Sequence, residues 1–284
     1  MKLYKEFLAE IFPQHEQVRK VSLNAGLSCP SFCAYCNNNS FSPVANTEMH
    51  ILEQLEAGIR NIRKKNTGII AYFQSYTNTN APVEKLREIF TSVIRHNDVI
   101  GLAIGTRPDC LPEQVVELLT ELNKIKPIIV EIGVQTANDS TLKNINRNHT
   151  AQCAREAALL CKKSGLSTTA HIIIGLPGEN MEDFTNTANL VKNCGFSSIK
   201  IHPLHIVKGT RFADEYQKGK IKLLYFEEYC KAAAEVIRIV SPDIAIERIS
   251  AESPKDILIA PDWAGDRAKI SVSLLQCLNN SVCR

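Results

Sequence analysis

Residues 127–135 read Pro127-Ile-Ile-Val-Glu-Ile-Gly-Val-Gln135, a run that is apolar on both of its alternating faces except at Glu131. Successive side chains of a strand point to opposite sides of the sheet, so a strand apolar on both faces is covered on both. That is the pattern of an inner strand in a parallel sheet. Short β-rich runs recur at Lys20–Leu27, Gly68–Gln74, Asp98–Gly105, Ser167–Ile174 and Ser197–Pro203. Between them lie amphipathic stretches that predict helices over Thr47–Lys65, Ala81–Asn97, Pro112–Lys124, Thr150–Ser164 and Glu179–Asn193. Thr47 and Pro82 are helix-start signals, and Gly165 and Gly195 close helices. Strands alternating with helices connect through right-handed crossovers. The expected class is therefore α/β, a partial (β/α)6 barrel of the TIM type that stays open. Its core covers about residues 18–208, and the extension over about 209–284 holds a helix near Leu223–Ile239 and a further strand near Ile244–Ile249.

The chain has 284 residues, a length that suits one such unit better than two small domains. With 44% hydrophobic and 22% charged residues it has an ordinary globular composition, which excludes disorder, collagen and coiled coil. A net charge of +3 is too small to imply coating of a nucleic acid and leaves room only for a local basic patch. The N-terminus MKLYKEFLAEIF carries Lys5, Glu6 and Glu10 and lacks the apolar run of a signal peptide. No stretch reaches the roughly 18 apolar residues of a membrane span. The expected location is the cytoplasm, with no membrane partner, and there ten cysteines point to metal binding or redox chemistry before disulfides.

In parallel β/α folds the chemistry collects at the carboxyl ends of the strands. Those ends here are polar: LSCPSFCAYC (27–36), FQSYTNTN (73–80), GTRPD (105–109), EIGVQT (131–136), GLPGE (175–179) and HPLH (202–205). The first holds Cys29, Cys33 and Cys36 in the spacing C-x3-C-x2-C. Three thiolates from one loop fall one short of a closed structural zinc site, which takes four ligands. On a cubane cluster they leave one iron free to bind a small molecule. The alternatives are a zinc site completed by His50, or buried thiols without a ligand. Cys110, Cys153, Cys161, Cys194 and Cys230 fall in or beside predicted helices, where small buried thiols are common. Cys277 and Cys283 near the terminus lack a convincing partner pair for a second site.

The spacing C-x3-C-x2-C, with Tyr35 just before the last cysteine, resembles the signature of the radical S-adenosylmethionine (SAM) superfamily. The segments KVSLNAG, CNNNSFSP, YFQSYTNT, IGTRPDC, VEIGVQTANDSTLKNINRNHT, HIIIGLPGE, IKIHPLHIVKGT and IAPDW, in this order from about Val18 to Trp263, resemble the YhcC/YtqA-like family, relatives of the elongator-type domain. Two departures stand out: the chain lacks the Gly-rich insertion that many members carry between the first two cysteines, and it has Asn148 where Gly is common.

By this resemblance Cys29, Cys33 and Cys36 would ligate a 4Fe-4S cluster that binds SAM and cleaves it reductively, and the resulting 5′-deoxyadenosyl radical would abstract hydrogen from a substrate. Tyr35 would lie near adenine, Gln74 and Ser75 near the SAM amino group, and Glu131 and Gln135 near the ribose hydroxyls. Gly175, Leu176 and Pro177 would form the adenine-contacting turn. Arg107 suits a carboxylate, because its guanidinium binds one bidentately, and equally suits a turn-shaping ion pair with Asp109. His171, His202, His205 and Lys208, with Lys200 and Arg211, form a polar set that would line a basic mouth for an anionic substrate or simply cap strand ends. The implied partners are a flavodoxin- or ferredoxin-like electron donor and tRNA, whose wobble uridine side chain would be the substrate, with no DNA. The alternatives are the same chemistry on a small molecule or protein, and a non-catalytic iron-sulfur relay or sensor.

Overall fold

The computed structural model describes residues 1–38, 42, 44–62, 67–251 and 253–279. Helix α1 (Tyr4–Ile11) precedes strand β1 (Gln17–Leu23), and the chain then continues through α2 (Ile51–Asn61), β2 (Thr67–Phe73), α3 (Val83–Ile94), β3 (Val99–Thr106), α4 (Glu113–Asn123), β4 (Ile128–Gln135), α5 (Asp139–Asn144), α6 (Ala151–Lys163), β5 (Ser167–Ile174), α7 (Met181–Cys194) and β6 (Ser198–Pro203). The remainder comprises β7 (Ile206–Val207), α8 (Arg211–Gln217), α9 (Phe226–Val240), β8 (Ala245–Arg248), β9 (Leu258–Ala260) and α10 (Arg267–Asn279). Seven parallel strands form one sheet in the order β1-β2-β3-β4-β5-β6-β8, curled into a half-barrel, and β7 and β9 pair antiparallel as a separate ribbon. Among the described residues no helix is long and apolar enough to cross a membrane.

The strand near Ile244–Ile249 thus belongs to the barrel itself as its seventh strand, beside β6, rather than to an appendage. Its four residues are too short to set a period, whereas pairing with Ser198–Lys200 fixes it in the sheet. The first strand also differs: it starts at Gln17 and ends at Leu23, because Asn24 turns its side-chain nitrogen to the Ala45 carbonyl and Gly26 takes a positive φ. The helix expected from Thr47 begins at Ile51, where Glu53 accepts a hydrogen bond from the His50 backbone N–H. Helix α1 had no counterpart in the sequence reading.

Period-2 alternation explains the two-sided core. Leu23, Phe73, Leu102, Ile104, Val130 and Ile132 point outward onto the helices, meeting Leu86 and Phe90 of α3, Leu118 and Leu119 of α4 and Tyr229 and Ile237 of α9. Their neighbours Ile70, Tyr72, Ala103 and Ile129 point into the barrel, where Phe7 of α1 and Phe12 just after it plug the floor. The segment before α1 also runs along the free edge of β8: Ile246 donates its N–H to the Lys2 carbonyl at 3.0 Å. The inward residues further along the strands are polar, and they line the cavity.

Candidate active site

A cavity of about 330 Å³ opens at the carboxyl ends of the strands. Cys29, Cys33 and Cys36 line it from the loop after β1. That loop has no regular structure, and distant backbone holds it: Ala34 N–H donates to Ile145, the Asn146 side chain to the Phe32 carbonyl, Phe212 N–H to Ala34, and the Asn37 side chain to the Lys208 carbonyl. Two buried arginines flank Cys33, whose sulfur lies 3.5 Å from Arg147 Nη1 and 3.9 Å from Arg107 Nη1. Thr77 Oγ1 donates to the Cys29 sulfur at 3.2 Å. Burial, and then the neighbouring Cys33 and Cys29, push the Cys36 thiol up to about 12. Binding to iron would relieve that cost, because a coordinating thiol is deprotonated by the metal.

Among the described residues no three His, Cys, Asp or Glu side chains converge closely enough to hold a single metal ion. His50 is exposed and does not line the cavity. A cluster asks for less convergence, since each thiolate binds a different iron. Three free thiols facing one cavity, with hydrogen-bond donors on two of their sulfurs, fit a cubane cluster with one open iron. Of the other cysteines, Cys110, Cys161, Cys194 and Cys230 are buried thiols, while Cys283 lies outside the described residues.

Glu131 lies in the barrel interior with its side chain fully buried. Its Oε1 accepts from Lys20 Nζ at 2.6 Å, while Oε2 accepts from Lys200 Nζ at 2.6 Å and Tyr72 at 2.6 Å, with His171 Nε2 at 3.0 Å. Glu247 bridges Lys20 at 2.7 Å and Lys200 at 3.2 Å. Burial opposes ionisation of Glu131, yet the two ammonium groups hold its carboxyl well below the usual range. Burial lowers Lys200, although Glu131 and Glu247 oppose the shift. It also lowers His171, aided by the Lys200 charge, so the imidazole is neutral near pH 7. The position expected to meet a ribose is thus the hub of an internal network of two carboxylates and two lysines.

Arg107 forms a two-pronged ion pair with Asp109, 2.9 Å on each side, and also reaches Ser31 Oγ and the Arg147 carbonyl. This is the turn-shaping arrangement. Gln135 lines the cavity with φ of +67°, just past an irregularity in the pairing with β5, and Tyr76 does so at +64°. Non-glycine residues held there cost conformational energy and cluster at functional sites. Gly133 leaves room for the Arg147 guanidinium, whose Nη2 would lie 2.3 Å from a Cβ at that position. Asn148 takes φ of +56°, a conformation that Asn tolerates better than most residues.

Tyr35, Gln74, His171, His202 and His205 also line the cavity. Burial and the Cys33 thiol raise the Tyr35 phenol well above its ordinary value. Ser75 is fully buried, donates to Ser42 Oγ at 2.7 Å and does not line the cavity. The turn Gly175-Leu176-Pro177 also lies outside the lining, with Gly175 packed near Leu224. Lys208 is exposed, and Arg211 pairs with Glu215 and the Asn144 carbonyl, so the two do not join the histidines. Lys200 sits inside the cavity rather than at its mouth. Sequence reading missed Arg147, Tyr72, Thr77 and Arg248. The only local signal for Arg147 was its place among turn residues in Asn146-Arg-Asn-His149.

The Radical SAM superfamily signature matches residues 23–191, and the Radical SAM C-terminal domain matches residues 196–277. The chain is 37% identical over 273 residues to the protein YhcC of Escherichia coli, covering 93% of this chain and 88% of that one. It is 28% identical over 163 residues to a tRNA uridine(34) acetyltransferase of Methanocaldococcus jannaschii, covering 56% of this chain and 30% of that enzyme. The fold also matches the solved structure of an N-terminally truncated archaeal Elp3 from Methanocaldococcus infernus, with a TM-score of 0.72 at 19% identity, over 91% of this chain and 63% of that one. With the cysteine loop at the end of β1 of a curled parallel sheet, these matches place the chain in the radical SAM superfamily.

Proposed function

We propose that this protein is a radical SAM enzyme acting on tRNA, at the side chain of a wobble uridine. The observation that carries the enzymatic reading is the set of three thiols on one loop, facing a cavity lined by buried charged side chains. The tRNA reading is supported by similarity to the tRNA uridine(34) acetyltransferase. Cys29, Cys33 and Cys36 would hold the 4Fe-4S cluster. When bound, cluster and SAM supply reductive cleavage of the S–C5′ bond and a 5′-deoxyadenosyl radical for hydrogen abstraction. The chain's own residues position and exclude water. Arg147 and Thr77 set the sulfurs through hydrogen bonds, and Tyr35, Gln74 and Gln135 line the space next to them. The reducing electron would come from a flavodoxin- or ferredoxin-like donor, and the location would be the cytoplasm. A second reading, favoured by the net charge of +3 and a cavity of only about 330 Å³, is the same chemistry on a small molecule.

The test is formation of 5′-deoxyadenosine from SAM by anaerobically reconstituted, reduced protein, with and without bulk tRNA. The parent is expected to form product faster with tRNA, and Cys33→Ala to form none and to hold less iron. Product that tRNA leaves unchanged would favour the small-molecule reading; a parent that binds no cluster would overturn the assignment.

A further inference from the structure

The charges around the cavity do not balance evenly. Arg107 is paired with Asp109, and Lys20 and Lys200 are matched by Glu131 and Glu247. Arg147 has the Cys33 sulfur, which becomes an anion when it binds iron. Arg248 is different. It ends β8, in register with Lys200 of β6, and it lines the cavity. Among the described residues it has neither a hydrogen bond nor an ion pair, and the charged or titratable neighbours felt by His202 beside it include Lys200 rather than a carboxylate.

Two histidines stand on the same wall. His202 stacks on His171 with ring centroids 5.8 Å apart, and its Nε2 is buried without a hydrogen-bond partner. His205 uses Nδ1 toward the Pro203 carbonyl at 3.4 Å and also faces the cavity. Burial, with His171 and Arg248 nearby, lowers His202 well below its usual value, so its ring is neutral and offers a single N–H. A buried nitrogen left unpaired is costly, and a half-buried guanidinium without a counter-charge is a ready fork for an oxyanion.

We propose that Arg248 and His202, with His205 beside them, form a subsite for an oxyanion of the substrate, a carboxylate or a phosphate, on the β6–β8 wall. The cysteine loop follows β1 at the opposite edge of the sheet order, so an anion held by Arg248 is anchored on a different strand wall from the cluster loop. The guanidinium supplies two parallel donors and the imidazole a third. This inference rests on reading the cavity as a substrate site. It does not depend on turnover.

The test is protection of Arg248 from phenylglyoxal, followed by peptide mass spectrometry on reconstituted protein held with saturating SAM and no reductant. Exposed Arg19 serves as the internal reference. Sodium acetate or inorganic phosphate is expected to slow labelling of Arg248 saturably while Arg19 reacts unchanged, and the more effective ion identifies carboxylate or phosphate. In His202→Phe the protecting concentration should rise about tenfold, the loss expected for one hydrogen bond to a charged group. Arg248 labelling that neither anion slows would overturn the subsite. So would full protection by SAM alone, because the cofactor's own carboxylate would then be the occupant. The parent protein alone decides these outcomes if His202→Phe does not fold. Anion protection without 5′-deoxyadenosine formation would keep the subsite and refute the proposed reaction; the converse would refute the subsite alone.

Discussion

Replacing Glu131 by Gln leaves the shape of the barrel floor intact and removes one of two carboxylates that neutralise Lys20 and Lys200. Each ammonium lies 2.6 Å from a Glu131 oxygen. At that distance, and at an effective dielectric of about 20, each pair is worth about 6 kcal/mol of attraction. Much of this is offset by the cost of burying Glu131, which Gln does not incur, and breaking a buried pair from one side costs about 3 to 5 kcal/mol net. The assay is urea unfolding followed by the single tryptophan, Trp263, which packs on Tyr229 and Phe226. With a slope of about 3 kcal/mol per molar urea, the midpoint should fall by about 1 to 1.7 M. The pH dependence supplies the sign. Burial already lowers Lys200 in the parent, and in Glu131→Gln it also loses a counter-charge, so its folded pKa falls further below its unfolded value. Between those two values the unfolded state binds more protons, and stability rises with pH. The deficit against the parent should therefore be largest near pH 7 and shrink toward pH of about 10, where unfolded lysine titrates. Adding Lys200→Met should recover part of the loss by restoring the charge balance. A deficit below about 1 kcal/mol, or one that stays constant across that window, would refute the account of Glu131 as the counter-charge to both lysines.

Three other outcomes follow from the geometry. Arg147→Met removes a cation and a hydrogen bond from the Cys33 sulfur, so the reduction potential of the reconstituted cluster should become more negative in an EPR-monitored titration; an unchanged potential would separate Arg147 from the cluster. Burial raises Glu179 from 4.5 to about 7 despite hydrogen bonds from Thr136 and Thr141. Its folded state binds the proton more tightly, so it contributes stability that is present below pH 4.5 and lost as pH rises through about 7, and Glu179→Gln should flatten that part of the stability profile. Phe90, fully buried on α3 with its ring 5.0 Å from Phe73 edge to face, should cost about 3 to 5 kcal/mol when replaced by Ala, and a loss under 1 kcal/mol would mean the site collapses without a cavity.

The order of strands, the parallel sheet and the cysteine loop were legible because each is local. A run such as IIVEIGV carries its two-faced burial in seven residues, and C-x3-C-x2-C carries its donor set in eight. Glu131 also announced itself, as a carboxylate in an apolar strand, though its partners did not. Lys20, Tyr72, Lys200 and Glu247 come from four different strands, and only the curl of the sheet turns them toward one point. The same curl brought Arg147, more than a hundred residues beyond Cys33, against its sulfur and left Ser75, Lys208 and the Gly175–Pro177 turn off the cavity wall. The short strand β8 had too few residues to declare its period, so its place in the barrel and the cavity-facing position of Arg248 depended on pairing with β6. Sequence by itself determined which residues alternate and cap and which thiols share one loop, because those properties act over one turn or one loop. Tertiary structure alone decided which charges meet, because electrostatic partnership depends on distance in space and on burial, and both are set only when the sheet closes.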